Sequence, residues 1–143
     1  MSYLSEVMIA TTKSGYDEIK QLTQAIVAKK ILAGEYCDNM FDYLYASRYN
    51  PKADYVIIGW DGVNWGEEYP EIQAVIQALQ EASEKYPIRF MRLGEDPGDT
   101  EEWDTDSKYT LPDLYMVRYI KIYGADPEHE IDLRWVNLGA PNA

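Results

Sequence analysis

The stretch Tyr55-Val56-Ile57-Ile58-Gly59-Trp60 is almost continuously apolar and rich in β-branched side chains. Such a run predicts a central strand of a sheet, because only an interior strand has both of its faces covered. The Asp61-Gly62 pair follows at once and predicts a turn before Val63. The elements that surround this strand decide the rest of the fold.

Upstream of this strand, the pattern predicts a strand and a long helix. Residues 6–12 show the alternation typical of a short first strand. Ser14, with an acid three residues later, is a variant of the capping box and predicts a helix over residues 14–32. Gly34 suits the end of that helix, because glycine readily adopts the left-handed conformation found there.

The remaining elements complete an α+β chain. They are a short helix from Asp38 to Tyr45, a long helix that begins at Pro70 and ends at Tyr86-Pro87, and strands over residues 88–93, 114–123 and 131–135. We therefore expect one domain over residues 1–143. Its fold class is α+β, with a single mixed, mainly antiparallel sheet of about five strands and two long helices and one short helix packed on it.

Composition places the chain among folded proteins of the cytoplasm. Its 143 residues are 46% hydrophobic, enough for a buried core, and no apolar stretch approaches the roughly 20 residues of a membrane span. The N-terminus lacks the basic region of a signal peptide, and the single Cys37 is consistent with a reducing compartment. We expect a cytoplasmic location, without membrane binding.

Charge is strongly and unevenly acidic. The chain has 25 acids and 13 bases, a net charge of −12, and residues 1–50 contribute only six of those acids and five of the bases. Such a field repels nucleic acid and anionic lipid and attracts basic protein surfaces. Direct nucleic-acid binding is therefore not expected. Solubility is the alternative explanation of the overall charge.

The acidic run over residues 93–107 contains seven carboxylates and no Lys or Arg. Mutual repulsion predicts a solvated loop, a bound cation or a basic surface on another molecule, with Trp103 as an apolar anchor. We predict that this run binds a partner through Glu95, Asp96, Asp99, Glu101, Glu102, Trp103, Asp104 and Asp106. A second predicted patch consists of Glu67, Glu68, Glu71, Glu81 and Glu84.

Enzyme chemistry finds little support in the sequence. His129 is the only histidine, and its acidic neighbours favour the charged imidazolium over a general base. Nucleophile-elbow, P-loop and dinucleotide motifs are absent. Glycosidase-like pairs among Glu67, Glu68, Glu95 and Asp96 follow from the abundance of acids, and we predict core positions for Trp60 and Trp65 rather than sugar stacking.

Metal binding is a separate question. One cysteine and one histidine do not make a zinc site. A Ca²⁺ ion would find oxygen ligands in the acidic run, but their order does not match the EF-hand loop. We expect neither a metal nor a cofactor, and Ca²⁺ binding stays an alternative.

Three segments resemble small acidic proteins found in phages and prophages of Gram-positive bacteria. They are Trp60-Asp61-Gly62-Val63-Asn64-Trp65, the helix start at Tyr69-Pro70, and Arg89-Phe90-Met91-Arg92-Leu93-Gly94-Glu95-Asp96. Such proteins are similar in size and charge to inhibitors of host defence, including anti-CRISPR and anti-restriction DNA mimics. The resemblance implies an inhibitor and no catalytic residues.

The leading hypothesis is a non-catalytic, phage-type inhibitor that binds a basic surface of a nucleic-acid-handling host defence complex, a CRISPR effector first. An immunity or antitoxin protein that neutralises a basic nuclease is the nearest alternative. A Ca²⁺-dependent or sugar-binding module is another. The thirteen tyrosines leave open a homodimer formed through a Tyr-rich strand, because tyrosine suits an interface as well as the edge of a core.

Overall fold

A computed structural model describes residues 3–114 of the chain. Its strands are β1 (Ser5–Thr11), β2 (Ala46–Asn50), β3 (Tyr55–Val63), β4 (Ile88–Leu93) and β5 (Thr100–Asp104), and its helices are α1 (Lys13–Leu32) and α2 (Pro70–Ala82). These strands form a single sheet in the order β2-β3-β1-β4-β5, and neighbouring strands pair antiparallel. The α+β class is therefore confirmed.

The β1 and β3 strands lie inside the sheet, as the apolar run at Tyr55–Trp60 predicts. Trp60 and Ile9 are fully buried on the face that carries both helices. There they share one core with Ile19 of α1 and with the apolar stripe of α2. On the opposite face, a smaller cluster of Met8, Ala10 and Ile57 packs against Tyr55 and Leu114.

The helix ends agree with the sequence pattern in two of four places, and α2 ends at Ala82 rather than at the predicted Tyr86-Pro87. Pro70 occupies the first turn of α2, and Gly34, with φ of +91°, follows the end of α1. The predicted Ser14 cap is wrong, because Thr12 takes that role and its hydroxyl accepts a hydrogen bond from the backbone N–H of Gly15 at 3.0 Å.

Two local predictions are corrected around β3. The Asp61-Gly62 pair does not end the strand but forms a bulge within it, opposite Ser5–Val7, and Gly62 has a φ of +67°. Glycine with a positive φ is found in bulges as well as in turns, so the Asp-Gly pair fits both structures. The predicted short helix is a single 3-10 turn, Met40–Tyr43, capped by Asn39, and the unpredicted β2 strand follows it.

The acidic run is the largest correction. It contains β5, which pairs with β4 from Arg89↔Asp104 to Leu93↔Thr100. Acids disfavour strands in general, but charged side chains are common on strands at the end of a sheet, where they oppose further pairing. The strands predicted over residues 114–123 and 131–135 fall outside the described residues apart from Leu114, as does His129.

The length and hydropathy of the helices were compared with those of membrane-spanning helices. Within residues 3–114, neither α1 nor α2 combines the length and the apolar character that a membrane-spanning helix requires.

Candidate functional site

A cleft of about 670 Å³ lies between α2 and the β4–β5 end of the sheet, with residues 64–69 along its rim. This volume falls within the range of small-ligand pockets. The cleft brings together parts of the two predicted acidic patches. Glu67 and Glu68 come from the rim, and Asp99 and Glu101 come from the β4–β5 hairpin. The charged lining residues of the cleft are Glu67, Glu68, Arg92, Asp99 and Glu101.

A row of aromatic rings runs from the core into the cleft. Trp60 lies 5.6 Å from Trp65, Trp65 lies 5.9 Å from Phe90, and Phe90 stacks on Trp103 at 5.4 Å with an angle of 11°. The buried indole N–H of Trp60 donates to the carbonyl of Met40 at 2.8 Å, so Trp60 belongs to the core as predicted. Trp103 is half-buried and is held by Phe90, rather than standing free in a loop.

Arg92 of β4 neutralises part of the acidic run from within the chain. Its guanidinium donates to both oxygens of Asp99, at 2.7 and 3.1 Å, to Glu101 at 3.2 Å and to the hydroxyl of Ser5 at 3.1 Å. The hydrogen bonds to Asp99 are the main cause of a raised pKa for Arg92, and the hydrogen bond to Glu101 adds to it. A solvated loop, a cation and a basic surface on another molecule were the three expectations, but for Asp99 and Glu101 the compensating charge comes from Arg92 of the same chain.

Tyr3 closes the loop between β4 and β5. Its hydroxyl donates to Oδ2 of Asp99 at 2.5 Å and accepts from the backbone N–H of Asp96 at 3.1 Å. The hydrogen bond to Asp99 is the main cause of a raised pKa for Tyr3. The backbone N–H of Gly94 also donates to the carbonyl of Asp99 at 2.8 Å. These bonds give the loop a defined shape.

The exposed acids of the run do not form one surface. Because side chains alternate along a strand, Glu101 lines the cleft, whereas Glu102 and Asp104 line a separate hollow with Met91 and Leu114. Trp103 borders both. The run is thereby divided among the β4–β5 loop (Glu95, Asp96), the cleft (Glu101) and the opposite face (Glu102, Asp104).

Asp106 is not on the surface, where a partner contact was predicted. It is only 2% exposed, and it accepts hydrogen bonds from the backbone N–H groups of Leu111 (2.8 Å) and Thr110 (3.1 Å) and from the Thr110 hydroxyl (2.9 Å). Burial by itself raises the pKa of Asp106, but these hydrogen bonds and the charge of Arg89 at 3.6 Å outweigh it and lower that pKa. Asp106 therefore holds the chain after β5 in place.

The second predicted patch is also divided. Glu67 and Glu68 are exposed on the rim of the cleft. Glu71 is half-buried in the first turn of α2, where an acid suits the helix dipole. Glu81 and Glu84 are exposed near the other end of that helix and are not part of the cleft lining.

Metal ligation and thiol chemistry gain no support from the described part of the chain. Residues 3–114 contain no group of three or more His, Cys, Asp or Glu side chains arranged to hold a metal ion. Cys37 is buried against Val27 and Ala74, and burial raises the pKa of its thiol, which disfavours the reactive thiolate.

Sequence reasoning missed Arg92, Tyr3 and Trp65 as residues of the cleft. A signal for Arg92 was present, since Asp96-Pro97-Gly98-Asp99 is a turn pattern and implies that β4 is followed by an antiparallel strand. Such a hairpin places Arg92 opposite Glu101, as the structure has it. No comparable signal existed for Tyr3, which reaches the loop across more than ninety residues of sequence.

Comparison with protein families, with curated proteins and with solved structures found no match for this chain.

Proposed function

We propose that the protein acts by binding, and that the acidic cleft and its rim dock on a basic surface of another protein. The supporting observation is the placement of Glu67 and Glu68 beside Glu101 around one concave site. Arg92, the one base that lines the cleft within residues 3–114, already pairs with Asp99 and Glu101. The site therefore presents a negative surface to a partner.

Fixed positions make these acids suitable for recognition. Glu101 belongs to a strand that is hydrogen-bonded to β4, and the rim loop is fixed to α2 through the side chain of Gln73, which donates to the carbonyl of Glu67 at 2.8 Å. Preorganised charges lose little conformational freedom on binding, and complementary charge accelerates association. A flexible acidic tail would also accelerate association, but it would lose more conformational freedom on binding.

The proposed partner is a protein that handles nucleic acid, because such proteins carry basic channels for phosphates. A β-strand rises about 3.4 Å per residue, close to the axial spacing of about 3.4 Å between phosphates of one DNA strand. Successive side chains alternate between faces, so β5 presents Glu101 on the cleft face and Glu102 and Asp104 on the other, at most about half that density of charge. The resemblance to acidic phage proteins favours a host defence complex, with a CRISPR effector as the first candidate.

An immunity protein that neutralises a basic nuclease would use the same surface. Both kinds of protein place carboxylates against a basic site, and the identity of the captured partner separates them. The charge argument applies equally to the two, so a single capture experiment decides between them.

Capture from bacterial lysate, with nucleic acid digested beforehand, tests the proposal. The baits are the wild type, Glu67→Lys with Glu68→Lys, and Glu81→Lys with Glu84→Lys as a control that changes the net charge equally. Capture is compared at about 0.05 M and 0.5 M NaCl, since screening by salt weakens exposed ion pairs. Mass spectrometry identifies the bound proteins, and competition with DNA or RNA follows for each of them.

We expect the wild type and the control to retain a basic nucleic-acid-binding protein at low salt, and the rim variant to lose it. Nucleic acid should then compete with the chain for that partner. Equal loss in both double variants would mean that net charge alone governs capture, and retention by the rim variant would remove the cleft from the interface. Either result would overturn the proposal.

A further inference from the structure

The cleft has a charge and a lining that the general acidity of the protein does not explain. Four carboxylates and one guanidinium line it, a formal charge of −3. Trp65 and Trp103 add two large aromatic rings to the same lining, and each of them packs against Phe90. A purely electrostatic contact would need carboxylates alone, so the aromatic wall indicates a more specific ligand.

Anions are disfavoured as ligands of this cleft. Four of the five N–H groups of a guanidinium are already used by Arg92, on Asp99, Glu101 and Ser5. The remaining carboxylates, Glu67 and Glu68, would repel a phosphate or a carboxylate at the rim.

The same cleft residues favour a cation as the ligand. Aromatic faces attract cations through the negative charge of their π surface, and tryptophan does so best. Glu67 and Glu68 at the rim are exposed, and within residues 3–114 no ion pair involves either of them. A planar guanidinium can stack on a ring and donate to carboxylates at the same time, whereas an ammonium is a compact point charge.

We infer that the cleft binds an arginine side chain of the protein partner, with its guanidinium between the aromatic wall of Trp65 and Trp103 and the carboxylates of Glu67 and Glu68. This inference rests on the proposed function and names the group that the cleft recognises. It makes the inserted arginine the central contact of the interface.

A peptide pair tests the inference without any partner. The probes are N-acetyl-Gly-Arg-Gly-amide and the same peptide with citrulline, which keeps the shape of arginine and removes its charge. Binding to ¹⁵N-labelled protein is followed by NMR through the indole N–H signals, assigned with Trp65→Phe and Trp103→Phe. The variants are Glu67→Gln with Glu68→Gln, and Glu81→Gln with Glu84→Gln as the matched control.

We expect the arginine peptide to shift the Trp65 and Trp103 signals in a saturable manner, and the citrulline peptide to leave them in place. The rim variant should bind about fivefold more weakly, in line with the loss of exposed charge pairs, while the control should stay within about twofold of the wild type. Equal binding of both peptides, equal losses in both variants, or no shift of either tryptophan would overturn the inference.

The two proposals fail separately. A basic partner captured from lysate together with an inert arginine peptide would leave the proposed function standing and remove the arginine site. Arginine binding without a captured partner would support the site and overturn the function as proposed.

Discussion

Arg92 donates two hydrogen bonds to Asp99, from Nη2 to Oδ1 at 2.7 Å and from Nη1 to Oδ2 at 3.1 Å. Arg92 belongs to β4 and Asp99 directly precedes β5, and the pair is only partly exposed, at 15% for the Arg92 side chain and 34% for that of Asp99. A bidentate pair of this kind fixes both distance and orientation. It therefore holds the acidic hairpin against the sheet and completes one wall of the cleft.

Loss of this pair should destabilise the fold. We expect Arg92→Leu to lower the free energy of unfolding by about 1–3 kcal/mol, because Asp99 would keep its charge and lose its main partner. This is less than for a fully buried pair, since water screens part of the interaction. Urea unfolding at pH 7 measures the change. Lys13→Leu, which breaks the exposed Lys13–Asp17 pair, should cost at most about 0.5 kcal/mol, and equal costs would contradict the prediction.

Stability should depend on pH through Asp106. Its pKa is lowered in the folded state, so its contribution is present above the ordinary aspartate pKa of about 3.9 and is lost as the pH falls through the folded value. We expect Asp106→Asn to cost about 1–3 kcal/mol at pH 7 and progressively less below pH ~4.

Urea unfolding of wild type and Asp106→Asn at a series of pH values provides the measurement. Glu102→Gln is the control, because Glu102 is exposed and should show no comparable effect at any pH. A difference between wild type and Asp106→Asn that stayed constant from pH 7 to pH 3 would show that the charge of Asp106 is not what stabilises the fold.

Gly15 should not tolerate alanine, although alanine is the better helix former. A Cβ at Gly15 would meet Oγ1 of Thr11 and lie 3.1 Å from Cβ of Tyr86. The usual gain of about 1 kcal/mol in a helix should therefore become a loss of about 1–3 kcal/mol. Thermal unfolding of Gly15→Ala measures it.

A double-mutant cycle tests whether the cause is this contact. Thr11→Ala by itself removes a hydrogen bond to the carbonyl of Pro87 and should destabilise the protein. Added to Gly15→Ala, it should cost less than it does alone, because it also removes the close contact. Strictly additive losses would assign the effect of Gly15→Ala to something other than Thr11.

Stacking of Trp103 on Phe90 should stabilise the edge of the sheet. We expect Trp103→Ala to lower the unfolding free energy by about 1–3 kcal/mol and Trp103→Phe to cost roughly half as much, because phenylalanine keeps a ring over Phe90. Urea unfolding followed by circular dichroism measures both. Tyr36→Ala, at an aromatic side chain that is 86% exposed, is the control and should change stability by at most about 0.5 kcal/mol. A similar cost in all three variants would argue against the stack.

Much of the fold could be predicted from residues 6–12, 14–32, 55–60, 70–86 and 88–93, because their apolar spacing is strong and local. The β5 strand could not, since three of its five residues are Glu, Glu and Asp, which have weak strand propensity. Pairing with β4 supplies the hydrogen bonds that make it a strand, and that pairing is a property of the hairpin as a whole.

The sequence by itself determined the α+β class, the acidic surface and the buried position of Trp60, because these follow from composition and from periodicity along the chain. Only the tertiary structure decided which acids remain available to a partner. Arg92 and Arg89 on β4 neutralise some members of the acidic run, and backbone N–H groups bind Asp106. The pleat of β5 places Glu102 and Asp104 on the face away from Glu101 and the cleft. The number of charges follows from the sequence. The partner of each charged side chain, and the face of the sheet on which it lies, depend on neighbours that folding brings together.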